Sequence, residues 1–90
     1  MIAVETEELI VTEQITVKEK QLVLYNDDVN TFDFVIEALI KVCNHELTQA
    51  VQCTYLIHYK GKCAVKSGSY KKLKPLCSAL AERGLKAVIE

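Results

Sequence analysis

The apolar positions fall into short blocks separated by polar breaks, and the spacing within each block differs. Gln21 to Tyr25 (QLVLY) is a continuous apolar, β-rich run and predicts a buried strand. Asn26-Asp27-Asp28 interrupts it, because short polar side chains bond their own backbone and favour turns. Phe32, Val35, Ile36, Leu39, Ile40 and Cys43 then recur at spacings of three and four, which is one apolar face of a helix. Asn30 or Thr31 can cap that helix, and Asp33 suits the positive end of its dipole. Asn44-His45-Glu46 reads as a tight connection. Leu47, Ala50, Val51, Thr54, Tyr55, Ile57 and His58 predict a second helix of about three turns, stopped by Gly61.

Cys63 to Val65 predicts a short strand, and Ser67-Gly68-Ser69 a turn that can also cap. A third helix turns Leu73, Leu76, Cys77 and Leu80 inward and ends at Arg83, before Gly84. Pro75 lies inside it and removes a backbone donor, so the helix either kinks there or becomes regular only near Lys74. Leu85 to Ile89 is the last strand. The order strand, helix, helix, strand, helix, strand predicts an α+β domain: a small three-stranded antiparallel sheet with three helices packed on one face. Residues 1–20 differ from the rest. They hold Glu5, Glu7, Glu8, Glu13 and Glu19, no aromatic residue, and β-branched residues without a steady period. They are expected to form a flexible extension, with an edge strand through Ile10 to Val17 as the alternative, before a core domain over residues 21–90.

At 90 residues, half of them hydrophobic and 26% charged, the chain has the composition of one ordinary folded domain. No apolar run approaches the roughly 20 residues that span a bilayer. The acidic start, with no Lys or Arg before Lys18, does not read as a secretory leader, so a cytoplasmic location is expected. Cysteines at 43, 53, 63 and 77 form no CxxC pair, which favours reduced, mostly buried thiols over a disulfide framework or a zinc site. Charge is unevenly spread. Residues 1–59 hold ten acids and three bases, whereas residues 60–90 hold two acids and eight bases. The run Lys60, Lys62, Lys66, Lys71, Lys72, Lys74 leaves open a nucleic-acid or ribosome-associated module, although it is a lysine-only patch without Arg, a weak signal for such binding.

No phosphate-binding glycine loop, zinc-protease motif or nucleophile elbow is present. The strongest polar constellation is Asn26, Asp27 and Asp28 at a strand end together with His58 on the second helix. By residue type it reads either as a capping turn with a hydrogen-bonded histidine or as a metal-dependent hydrolytic site. The latter has too few ligands, and no metal or cofactor is expected.

The segments LVLYNDDVNTFDFVIEAL and QAVQCTYLIHYKGK resemble the ClpS family, adaptors of the Clp protease that recognise N-degron substrates. The shared features are a strand running into Asn26-Asp27-Asp28, a helix with Phe34-Val35 and Leu39, and a second helix ending in His58, Gly61 and Lys62. The resemblance spans residues 21–90. It implies a non-enzymatic role in which Asn26, Asp27 and His58 hold the free α-amino group of a substrate. An α-ammonium is a three-donor cation, and these side chains offer acceptors. It also implies a pocket for a large hydrophobic first side chain, formed here by Asn30, Phe32, Val35, Thr54 and Ile57. Proteobacterial relatives place Thr-Pro-Met where this chain has Asn30, Thr31 and Phe32, and another methionine where it has Thr54. An altered side-chain preference is therefore expected. The implied partners are N-degron proteins and the N-terminal domain of a ClpA- or ClpC-type AAA+ ATPase, with no nucleic acid and no membrane. The ATPase contact is expected near Lys71 and Lys72, where relatives carry a glutamate. A monomer is expected.

Overall fold

Three consecutive buried residues, Leu22, Val23 and Leu24, mark β1 (Lys20–Tyr25) as a strand covered on both faces. It is the central strand of an antiparallel sheet of order β2-β1-β3, with β2 at Lys62–Gly68 and β3 at Lys86–Ile89. The structure is a computed structural model and describes residues 18–90. The extension expected over residues 1–20 therefore lies, up to residue 17, outside the described residues. Lys18 and Glu19 are exposed and precede the first strand.

Leu22 and Leu24 face the helices and join one core with Val35, Ala38 and Leu39 of α1 (Phe32–Cys43), Ala50, Cys53 and Ile57 of α2 (Leu47–Lys60), Leu73 and Leu80 of α3 (Tyr70–Glu82), and Val65 and Leu85. Val23 points the other way. Tyr25 stands on the same face two residues on; it pairs with Lys86, and its hydroxyl donates to the carboxylate of Glu90, just past the end of β3. Val23 is buried and Val88, paired with it, is exposed, and the Tyr25 ring shares their outer face. Lys62 sits over the same ring, 5.8 Å from its centroid.

The helix boundaries follow local chemistry. Of the two cap candidates, Thr31 is the one used: its Oγ1 accepts from the Phe34 amide at 3.1 Å. Asn44 takes the left-handed conformation (φ 58°) that ends α1, and Gly61 (φ 94°) ends α2. At 14 residues α2 is nearly four turns, one more than expected, and two of its expected apolar positions are exposed: Leu47 and Tyr55. The connection before it is anchored by His45, buried and missed as a core residue, whose Nε2–H donates to the Val65 carbonyl at 2.7 Å.

Two expectations near the third helix change. Strand β2 runs through Ser67 and Gly68, which had read as a turn. A bulge leaves Val65 without a ladder partner between the Leu22–Lys66 and Val23–Ala64 pairs, and the ladder then continues to Gln21–Ser67 and Lys20–Gly68. Helix α3 starts a full turn before Lys74, because Ser69 caps it (Oγ accepting from Lys72 at 3.2 Å) and Leu73 is buried in its first turn. Those two anchors precede Pro75, and the buried Leu80 holds the helix beyond it. Strand β3 begins at Lys86, one residue later than expected, and Leu85 is instead a buried residue of the preceding loop. All four cysteines are free thiols. Burial pushes Cys43 up to about 11 and Cys53 up to about 12, so neither is a thiolate at neutral pH. No helix among the described residues is long and apolar enough to cross a membrane.

Leu24→Ala removes a side chain that is 1% exposed and is expected to lower the unfolding free energy by about 2–5 kcal/mol. Leu47→Ala, at a position 63% exposed, is expected to change it by less than about 0.5 kcal/mol. Urea titration followed by circular dichroism measures both, and a large loss at Leu47 would mean that α2 packs differently.

Candidate functional site

Where β1 ends, the chain must leave the ladder, and Asn26-Asp27-Asp28 makes that turn. The Asn26 amide donates to the Gly61 carbonyl at 2.9 Å, and the Gly61 amide in turn donates to Ile57 at 3.0 Å. This pair of bonds sets the acidic turn against the last turn of α2, which carries His58. Asp27 then folds the turn onto itself. Its Oδ1 accepts from the Val29 and Asn30 amides, both at 2.9 Å, and Asn30 Nδ2 lies 3.1 Å from each carboxylate oxygen. Burial opposes the Asp27 charge, but the Asn30 amide, the Asn30 side chain and the Val29 amide outweigh it and hold the carboxyl below the usual range. Among the described residues Oδ2 accepts from Asn30 alone and retains acceptor capacity.

Asn30 also donates to the Gly84 carbonyl at 3.2 Å. It thereby ties the acidic turn to the loop between α3 and β3, fifty-four residues away in sequence. That loop delivers Leu85, whose amide donates to Leu80 at 3.1 Å and whose side chain is buried. A cavity of about 300 Å³ opens between these parts, at the lower end of ligand-sized pockets. Asn26, Asp27, Asn30, Phe32, Val35, Thr54, Ile57 and His58 all line it, so every expected amine-binding and pocket residue meets in one place. Leu24, Tyr25, Asp28, Thr31 and Leu85 line it as well. Of these, Leu24, Tyr25 and Leu85 escaped the sequence reading as pocket residues, because their place in the apolar strand runs marks them only as strand or core.

The two positions expected to set the side-chain preference, Phe32 and Thr54, have distinct surroundings. Thr54 is buried, and its hydroxyl donates to the Ala50 carbonyl at 2.8 Å within α2. The polar atom is thus satisfied by its own helix, and the position contributes a small wall rather than a polar one. Phe32 is held edge-on by Tyr55 (centroids 5.3 Å apart) and by His58 (5.1 Å), which makes it a fixed rim.

Lys71 and Lys72 lie in the exposed first turn of α3 and are not part of the cavity. The remaining lysines of the basic run are spread over α2, β2 and α3, and Lys66 donates to the Cys43 carbonyl at 3.1 Å. Among the described residues no three His, Cys, Asp or Glu side chains are grouped to hold a metal ion.

The family model for the ATP-dependent Clp protease adaptor protein ClpS matches residues 16–88. The chain belongs to the ClpS family. Curated relatives carry the name ATP-dependent Clp protease adapter protein ClpS. The Campylobacter jejuni protein is 43% identical over 44 residues, covering 49% of this chain and 46% of that protein. The Clostridium acetobutylicum protein is also 43% identical over 44 residues, with 49% and 44% covered. The Salmonella gallinarum protein is 36% identical over 42 residues, with 47% and 40% covered. The matched stretch thus spans about half the length of the curated ClpS relatives. The structure of Agrobacterium tumefaciens ClpS2 bound to L-phenylalaninamide aligns with a TM-score of 0.70 at 22% identity, covering 82% of this chain and 96% of that one. The three-stranded antiparallel sheet and three helices are the ClpS fold.

The depressed folded-state pKa of Asp27 contributes stability above the ordinary carboxylate value of about 3.9, and that contribution is lost as pH falls through the lower folded value. Asn30→Ala removes the side-chain donor and is expected to raise the Asp27 midpoint toward about 3.9. Carboxyl carbon NMR measures it, and an unchanged midpoint would show that the Asn30 side chain does not stabilise the charge.

Proposed function

We propose that this ClpS-family chain is an adaptor that binds the free N-terminus of N-degron substrates bearing a large hydrophobic first residue, and delivers them to a Clp AAA+ protease. The observation that carries this reading is one cavity in which acceptor groups (Asn26, Asp27, His58) meet apolar walls (Val35, Ile57, Leu85, Phe32). A free α-ammonium supplies three charged donors, and an internal peptide nitrogen supplies none of that charge. Charge-assisted bonds contribute about 1.5–3 kcal/mol each, and burying a Leu- or Phe-sized side chain contributes a similar amount, so both parts of the site act together. L-phenylalaninamide, the ligand of the A. tumefaciens ClpS2 structure, has this chemistry: a free α-amine beside an aromatic side chain.

In this reading the protein performs no catalysis of its own and acts as a cytoplasmic monomer. Its partner is the N-terminal domain of a ClpA- or ClpC-type ATPase, met on the α3 side near Lys71 and Lys72. Residues 21–90 are the recognition domain, and residues 1–20 are the extension that the ATPase engages during transfer.

Peptides differing only in their first residue, each with and without N-acetylation, test amine recognition directly. Free-amine peptides starting with Leu, Phe, Tyr or Trp are expected to bind and their acetylated forms are not. Asp27→Ala is expected to weaken the free-amine peptides tenfold or more, equivalent to about 1.5–3 kcal/mol, while the domain stays folded. Equal binding of acetylated and free peptides would sink the assignment. Deletion of the residues before Lys20 is expected to leave peptide affinity intact and to abolish degradation of an N-degron substrate by the cognate Clp complex. Unimpaired degradation would remove the extension from the delivery step.

A further inference from the structure

Two residues of the cavity rim also belong to an aromatic surface outside it. Phe32 meets Tyr55 edge-on, with centroids 5.3 Å apart and planes at 87°. His58 meets Tyr59 in the same manner, at 5.0 Å and 79°. Tyr55 and Tyr59 are one turn apart on α2, and their rings stack with centroids 5.9 Å apart and planes parallel within 1°. Neither tyrosine lines the cavity, and they are 48% and 74% exposed. The four rings form a continuous shelf that starts at the cavity mouth and runs along α2. Each ring touches at least one other, so their rotamers are restrained before anything binds, and little side-chain freedom is lost on contact.

We propose that this shelf is a second subsite, which takes the side chain of the second residue of the bound peptide and favours an aromatic one. This rests on the reading that the cavity holds a free N-terminus. With the α-amine at Asn26, Asp27 and His58 and the first side chain in the cavity, the second Cα lies only 3.8 Å from the first. In an extended peptide successive side chains point to opposite sides, so the second cannot follow the first inward and must rest on the rim. His58 is common to the amine site and the shelf, and thus places the second residue beside the rings. The opposite rim is the acidic turn, where Asp28 is exposed and would favour a basic second residue instead. The rings outweigh it because they offer a preformed apolar area, and because Lys60, next to Tyr59 at the end of α2, repels a cation there.

The test is fluorescence anisotropy of the full chain with peptides that all begin with Leu and carry Ala, Phe, Arg or Asp second. Phe is expected to bind about two- to tenfold more tightly than Ala, the range that aromatic contacts supply. The Phe/Ala ratio is expected to fall to about one in Y55A/Y59A and to persist in Y55F, which keeps the ring. Equal binding of Phe and Ala, Arg ahead of Phe, or a ratio that survives Y55A/Y59A overturns the proposal. N-acetylated versions separate the two readings. If acetylation abolishes binding while the second residue has no effect, the shelf fails alone. If acetylation has no effect, the amine site fails and the shelf with it.

Discussion

The central position of β1 governs the rest of the molecule. Both neighbouring strands hydrogen-bond to it, and Leu22 and Leu24 are fully sequestered beneath the helices. A strand paired on both edges cannot slip without breaking two ladders and turning its buried leucines outward. The point where β1 stops is therefore fixed, and so is the start of the acidic turn. The bond from the Asn26 amide to Gly61 then locks that turn against the end of α2. His58 and Asp27 share one cavity because a strand end and a helix end are tied together, and no local feature of either segment requires it.

The same economy appears in how the turn is built. Asp27 is a structural anchor and a candidate ligand group at once. One oxygen organises two backbone amides, and the other keeps acceptor capacity. A carboxylate used in this way stays charged at neutral pH despite its partial burial, which is the state an ammonium ligand requires. Asn30 extends the anchoring to Gly84, and so ties the polar half of the cavity to the loop that carries Leu85. In the proposed recognition, which draws a few kcal/mol from each of two contacts, that tie reduces the ordering cost on binding.

Phe32 and Thr54 shape the cavity in different ways. Phe32 is a ring held edge-on at the rim, and Thr54 is a small wall residue whose hydroxyl is satisfied within its own helix. The aromatic surface continues from Phe32 over Tyr55 and Tyr59, because the ring at position 32 provides an edge against which Tyr55 packs.

Period and turn chemistry within the sequence determined the six elements, their order, the helix-ending roles of Gly61 and Gly84, and most of the residues that face the core, with Leu47 and Tyr55 as exceptions. These depend on interactions within one or two turns of chain, so composition at fixed spacing carries them. By residue type the acidic turn and His58 stood out as a polar constellation, but a shared amine-binding role came only through the family resemblance, since nothing local links positions 26 and 58. Tertiary structure alone decided that Leu24 and Leu85 wall the cavity, that Asn30 tethers Gly84, that His45 is buried against Val65, and that a bulge carries β2 to Gly68. Each of these is a contact between residues far apart in sequence. Such contacts leave no period of their own, because either partner would show the same polarity if it packed elsewhere in the core.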